Sequence, residues 1–203
     1  IELDSLSVEL EERDRTRSVV GFAMAAAGIG QRFFDEYYRD PDPGPRTIVS
    51  VISRAVASLG ASVIPGLGGG RLGANARRMF RPFSARVHID GEELPTREHG
   101  AIHAGAFDVN LGGVVRVFPL AKDDGAMHVQ AGAMTPLEMI TALPALARGW
   151  RMPGKNLRDD RGHRMEIEAM GTERLRPVID GEMYEGIDRL AVELGTRVRI
   201  VRV

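Results

Sequence analysis

Carboxylates placed beside glycines are the residues of this 203-residue chain best suited to chemistry. In FPLAKDDGAMHV, Phe118 to Val129, Asp123 and Asp124 stand directly before Gly125 between strand-like segments. A glycine that accepts positive φ makes this a tight turn first of all. On the functional reading it is a cation site, in which Asp124 offers a hard oxygen ligand and carbonyls exposed by the turn add more. The tripeptide Asp-Gly-Glu occurs twice, at Asp90-Gly91-Glu92 and Asp180-Gly181-Glu182, each time after an apolar strand (VHI and PVI). Asp-Gly between strands is the strongest short hairpin signal, and it accounts for both copies equally. It leaves open whether either carboxylate also does acid–base work, since a turn at a strand end can present one to a cleft. A third cluster, Arg77, Arg78, Arg81 and Arg86 around Phe80 and Phe83, reads first as a solvated charged face. Its functional alternative is a contact with anionic headgroups.

Other chemistries find less support. GLGGGRLG lacks the Gly-Lys-Ser/Thr ending of a phosphate loop. His99 and His103 are close, but no acidic partner stands at a zinc-ligand spacing. No GxSxG elbow is present. Without cysteine there is neither a disulfide frame nor a thiolate site, which fits a reducing compartment. A formal net charge of -1 and a pI near 6.6 argue against bulk nucleic-acid affinity. The apolar stretch Val19 to Ile29 is too short and too rich in Ala and Gly to span a bilayer, so the chain reads as soluble. No start methionine and no leader precede Ile1, which points to a fragment or a domain of a longer protein.

These candidates need elements to hold them. IELDSLSVEL and SVVGFAMAAA read as two strands of a hairpin, followed by a short helix over QRFFDEYY. Ile48, Val51, Ile52, Ala55, Val56 and Leu59 recur at helical spacing. The glycine-rich segment 65–79 reads as a mobile loop. Strands return from Phe80 onward, interrupted by one helix in MTPLEMITAL. There Thr135 is the N-cap, Pro136 the first helical residue and Glu138 the far side of a capping box; Pro144 should kink or end the helix. Many short strands and few helices predict a mainly β protein, an antiparallel sandwich with helices attached.

The order of these pieces resembles the C-terminal domain of the bacterial diacylglycerol kinase family, which includes sphingosine-kinase-like and YegS-like lipid kinases. The resemblance runs from IELDSLSV through GFAMAAAGIG, is strongest at LGGVVRVFPLAKDDGAMHV, and closes with RPVIDGEMY and two terminal strands, so that it covers nearly all of residues 1–203. It implies a two-sheet β-sandwich joined to a nucleotide-binding α/β domain, and Mg2+-assisted transfer of the γ-phosphoryl group of ATP to a lipid hydroxyl. By position, Asp180 matches the family carboxylate proposed as the base for that hydroxyl, and Glu182 its neighbour facing the nucleotide. Asp124 matches a structural magnesium ligand, with the backbone carbonyls of Ala121 and Ala126 as companions. Asp90 stays structural. The implied partners are a lipid at the inner, cytoplasmic face of a membrane and the nucleotide-binding domain of the same protein; unpaired sandwich edges make a homodimer plausible. Two departures stand out: the family's Gly-Gly-Asp-Gly-Thr loop is absent, and alanines fill Ala25 to Ala27 where relatives often carry Asn. The first predicts that this polypeptide alone phosphorylates nothing. A non-catalytic lipid- or partner-binding sandwich and an NAD-kinase-like enzyme remain as alternative readings.

Overall fold

The structure, a computed structural model, describes residues 2–64, 70–111, 115–122 and 125–199. Strands β1 (Glu2–Leu3), β2 (Leu6–Glu12), β3 (Arg15–Gly21) and β4 (Ala23–Gly28) lead into three helices, α1 (Ile29–Tyr37), α2 (Pro45–Val63) and α3 (Gly70–Met79). Then come β5 (Phe83–Ile89), β6 (Glu92–Glu93), β7 (Glu98–His99), β8 (Ala101–Gly105), β9 (Val109–Leu111), β10 (Val115–Val117) and β11 (Met127–Ala133). Helix α4 (Pro136–Arg148) precedes β12 (Asn156–Gly162), β13 (Arg164–Ala169), β14 (Val178–Ile179), β15 (Glu182–Met183), β16 (Arg189–Leu194) and β17 (Val198–Arg199).

Two antiparallel sheets carry the fold, as the alternating patterns predict. One runs β12-β11-β8-β4-β14-β15, the other β3-β2-β16-β13-β5-β6, with β7 also paired to β5. Period-two alternation turns one side of each strand inward. Leu6, Val8 and Leu10 of β2, Val87 and Ile89 of β5 and Met165 and Ile167 of β13 thus meet Met24, Ile102, Met127 and Val129 of the other sheet in one core. On the far face of the six-stranded sheet lies a helical layer: α1 packs on β4 and β8, and α2 touches α1, α3 and α4. By length and composition α2 could cross a membrane, but Val51, Ser58 and Leu59 are buried in this layer.

Three local expectations change. SVVGFAMAAA is two strands, because Gly21 ends β3 in one sheet and Ala23 begins β4 in the other. The loop expected at 65–79 is helix α3 over Gly70–Met79, while 65–69 lie outside the described residues. Glycine content made a helix unfavourable there on propensity alone. Tertiary contacts override it: Gly73, Ala76 and Met79 share a buried face, Asn75 Nδ2 donates to Ser58 Oγ at 2.7 Å, and Arg77 and Arg78 suit the C-terminal end of the helix dipole. Finally, α4 continues through Pro144 to a left-handed Gly149 cap, whose N–H reaches the Ala145 and Leu146 carbonyls. Its capping box is formed as expected, with Thr135 N donating to Glu138 Oε2 at 2.7 Å and Glu138 N to Thr135 Oγ1 at 3.3 Å.

Candidate active site

The two Asp-Gly-Glu hairpins are structural twins. Asp90 and Asp180 have φ of 51° and 48°, and Gly91 and Gly181 follow at 83° and 93°, so both central residues of each turn lie in the left-handed region that Asp and Gly tolerate. Each turn sits where a neighbouring strand leaves one sheet for the other. At β3–β4 the crossing residue is Phe22; at β12–β13 it is His163. The Asp180 carboxylate accepts from Phe22 N at 3.0 Å (Oδ2) and from Ala23 N at 2.9 Å (Oδ1), while Asp180 N donates to Ala23 O at 3.0 Å. The Asp90 carboxylate accepts from His163 N at 2.9 Å and Arg164 N at 2.8 Å, and Asp90 N donates to Arg164 O at 2.9 Å. Crossing chains break their ladder bonds, and each aspartate takes up the orphaned N–H groups. Burial opposes ionisation of Asp90, but the His163 and Arg164 backbone donors outweigh it and hold its carboxyl below the ordinary value.

What distinguishes Asp180 is its surroundings. Tyr38, just past α1, donates its hydroxyl to Gly181 O at 2.7 Å. Tyr184 donates to Glu182 Oε2 at 3.0 Å, and the Arg17 guanidinium lies 4.8 Å from the Tyr184 ring centre. Burial and the Glu182 carboxylate raise the Tyr184 phenol above its usual range. Asp180 and Glu182 are both exposed, on the last hairpin at the edge of the six-stranded sheet. The structure therefore brings Asp180, Glu182, Tyr38 and Tyr184 together. The tyrosines carried no sequence signal, since Tyr38 is 143 positions from its partner.

The expected cation turn is only partly visible. Asp124 lies outside the described residues; Ala121 and Ala126, on either side, are both buried. Gly125 N donates to Asp4 Oδ2 at 3.1 Å, and Arg197 Nε lies 3.3 Å from Asp4 Oδ1. With both oxygens engaged, Asp4 serves as a clamp on the turn, in the break between β1 and β2, where no motif marked it. No group of three or more His, Asp or Glu converges on a metal position among the described residues.

A buried polar line runs across β8, β11 and β12, where sequence spacing offered the histidines no acidic partner. Register places His103 opposite Gln130 and Gln130 opposite Asp159, with His128 diagonal to Asp159. Asp159 is buried and accepts from His128 Nε2 at 2.6 Å, Gln130 Nε2 at 3.2 Å and Met152 N at 2.5 Å. Leu120 N donates to His128 Nδ1 at 3.4 Å, which leaves the proton on Nε2. His103 Nδ1 meets Gln130 Oε1 at 3.1 Å and must be the donor, so its Nε2 is a buried acceptor without a partner among the described residues. The cavity beneath Phe118 and Trp150 is about 40 Å³, room for roughly one water, so this line supports structure.

Burial pushes the His103 imidazole down to about 4 against an ordinary 6.5, although the Gln130 bond opposes the shift. The fold favours neutral His103, whereas the unfolded chain protonates near its ordinary value. Its contribution is complete above pH 6.5 and is lost as the pH falls towards 4. The loss is on the order of 3 kcal/mol. His99, whose imidazole burial also pushes down, acts in the same direction. Urea midpoints between pH 6.5 and 4.5 are expected to fall less steeply in His103→Asn, which keeps a donor for Gln130 but does not titrate. An identical slope would remove His103 as a cause.

The arginine cluster resolves mostly into ion pairs. Arg78 meets Glu36 at 2.8 Å, Arg81 meets Glu173 at 2.5 Å and Arg86 meets Glu168 at 2.7 Å. At the surface such pairs contribute little stability. The solvated-face reading describes Arg81 and Arg86 well.

Among solved structures, a putative diacylglycerol kinase from Bacillus anthracis str. Sterne superposes on 96% of this chain with a TM-score of 0.54 and 12% identity, over 53% of its own length. Two further Bacillus anthracis structures, one described as a diacylglycerol kinase and one as a putative one, each cover 96% of this chain with a TM-score of 0.50, at 11% and 12% identity. The chain has the fold of the C-terminal domain of the bacterial diacylglycerol kinases. It spans about half the length of those proteins. No family model matches the sequence. No curated protein matches it either.

Proposed function

We propose that this chain is the C-terminal half of an ATP-dependent lipid kinase, acting on a diacylglycerol-like or sphingoid hydroxyl when joined to a nucleotide-binding half. The supporting observation is the fold likeness, which takes in nearly all of this chain but only about half of the diacylglycerol kinases. Loose phosphoryl transfer needs positioning and charge neutralisation more than covalent chemistry, plus a group for the hydroxyl proton. Asp180 suits that last task. Its two backbone donors, one of them shared between both oxygens, fix the carboxylate's orientation and leave acceptor capacity for a lipid hydroxyl. Glu182, held by Tyr184, would face the nucleotide side. Asp124 with the Ala121 and Ala126 carbonyls makes an all-oxygen donor set, which suits Mg2+. Bound there, the ion would hold the turn and so the sheet beside it.

A second reading is a sandwich that binds lipid or a partner without catalysis. One observation favours it: Asp90, to which the resemblance gives no chemistry, makes the same backbone contacts as Asp180. The full-length protein, incubated with ATP, Mg2+ and a panel of diacylglycerols and sphingoid bases, is expected to yield a phosphorylated lipid. No product from any lipid, with the protein folded and ATP bound, would leave the non-catalytic reading.

A further inference from the structure

Helix α2 has an apolar stripe on the wrong side. Val51 and Ser58, seven residues apart, are buried in the helical layer. Val49, Val56 and Val63, also at seven-residue intervals, lie nearly opposite and are 42%, 39% and 39% exposed. Ile64, just past α2, and Leu72 of α3 are also exposed, at 49% and 48%. A surface helix in water ordinarily turns charged or polar groups outward at these positions.

The charge carried by α2 and α3 themselves is one-signed. Helices α2 and α3 carry Arg46, Arg54, Arg71, Arg77 and Arg78 and no acidic residue, in a chain whose formal net charge is -1. Glu36 of α1 pairs with Arg78, and Asp40 and Asp42 lie before α2, the former bonded by Thr47 Oγ1 at 2.6 Å. Exposed aliphatic side chains on helices whose charged side chains are all guanidinium groups complement a layer with anionic heads over hydrocarbon. A protein partner would be expected to meet a mixed rim.

We propose that the outer face of α2 and α3 docks on an anionic phospholipid bilayer. This rests on the lipid-kinase reading, because a lipid substrate resides in such a surface. Docked there, the helical layer faces the bilayer and the valines enter the headgroup boundary, with the arginine stems reaching outward to phosphates.

The test is co-sedimentation of the full-length protein with vesicles of phosphatidylcholine, with or without about one part in three phosphatidylglycerol. Partition onto the anionic vesicles alone, weakened by salt, is expected. The double variant Val49→Asp/Val56→Asp should lower that partition about tenfold or more. Its melting temperature and its activity on a short-chain, water-soluble diacylglycerol should not change. Arg46→Glu/Arg71→Glu should weaken binding independently. Unchanged partition in both variants would overturn the proposal. So would a wild type that ignores anionic vesicles, or self-association that the valine variant abolishes, since a second copy would then cover the face. If wild-type binding is lost in the variants while no lipid is ever phosphorylated, docking stands and the kinase reading falls. If lipid is phosphorylated but partition is unaffected, the reverse holds.

Discussion

Asp180→Asn in the complete protein is expected to lower turnover at least about a hundredfold, the usual reach of a positioned general base. If Asp180 takes the hydroxyl proton only as the phosphoryl group moves, kcat and kcat/KM should fall together. The twin turn supplies an internal control. Asp90→Asn removes the same kind of carboxylate from the same kind of strand crossing, with the same two backbone donors to satisfy. An asparagine oxygen still accepts from those donors, so each variant should lose only about 1 kcal/mol of stability. Matched melting temperatures with turnover lost in Asp180→Asn alone would separate chemistry from architecture. Equal activity in the two variants would reduce Asp180 to a corner clamp.

The largest stability loss is expected from Asp159→Ala. Truncation takes the carboxylate acceptor from three buried donors, His128 Nε2, Gln130 Nε2 and Met152 N. Breaking a buried charge-assisted network by removing one partner costs about 3–5 kcal/mol. For a domain of this size that lowers the melting temperature by roughly 10 °C. A circular-dichroism melt within about 2 °C of wild type would mean that the line across β8, β11 and β12 does not hold the sheet edge.

Local signals were read well from the sequence. The alternation in SARVHID and the Asp-Gly turns placed β5, β6, β14 and β15, and the Thr135–Glu138 box placed the start of α4. Local period, however, does not say which sheet a strand joins, so the crossing at Phe22 was invisible within one apolar run. Helix α3 was hidden because its glycines weaken propensity, and only its buried face against α2 compensates. His128 and Asp159 lie 31 positions apart, and only the register of β11 against β12 makes them neighbours. The equivalence of the two Asp-Gly-Glu hairpins goes beyond their shared tripeptide, because it depends on which backbone amides each carboxylate reaches.

The strand crossings constrain motion. Gly162 pairs with Met127, and Ala23 and His128 both pair with Gly105, so the crossings at His163 and Phe22 lie at one end of the six-stranded sheet. A single residue joins the sheets at each, which seams that end shut at two places. Breathing of the sandwich is left to the other end, where β4 gives way to α1 and β11 to α4. Asp180 therefore sits at the seamed end, and the Tyr38 hydroxyl on Gly181 O is a link through which a shift of α1 would reach its turn.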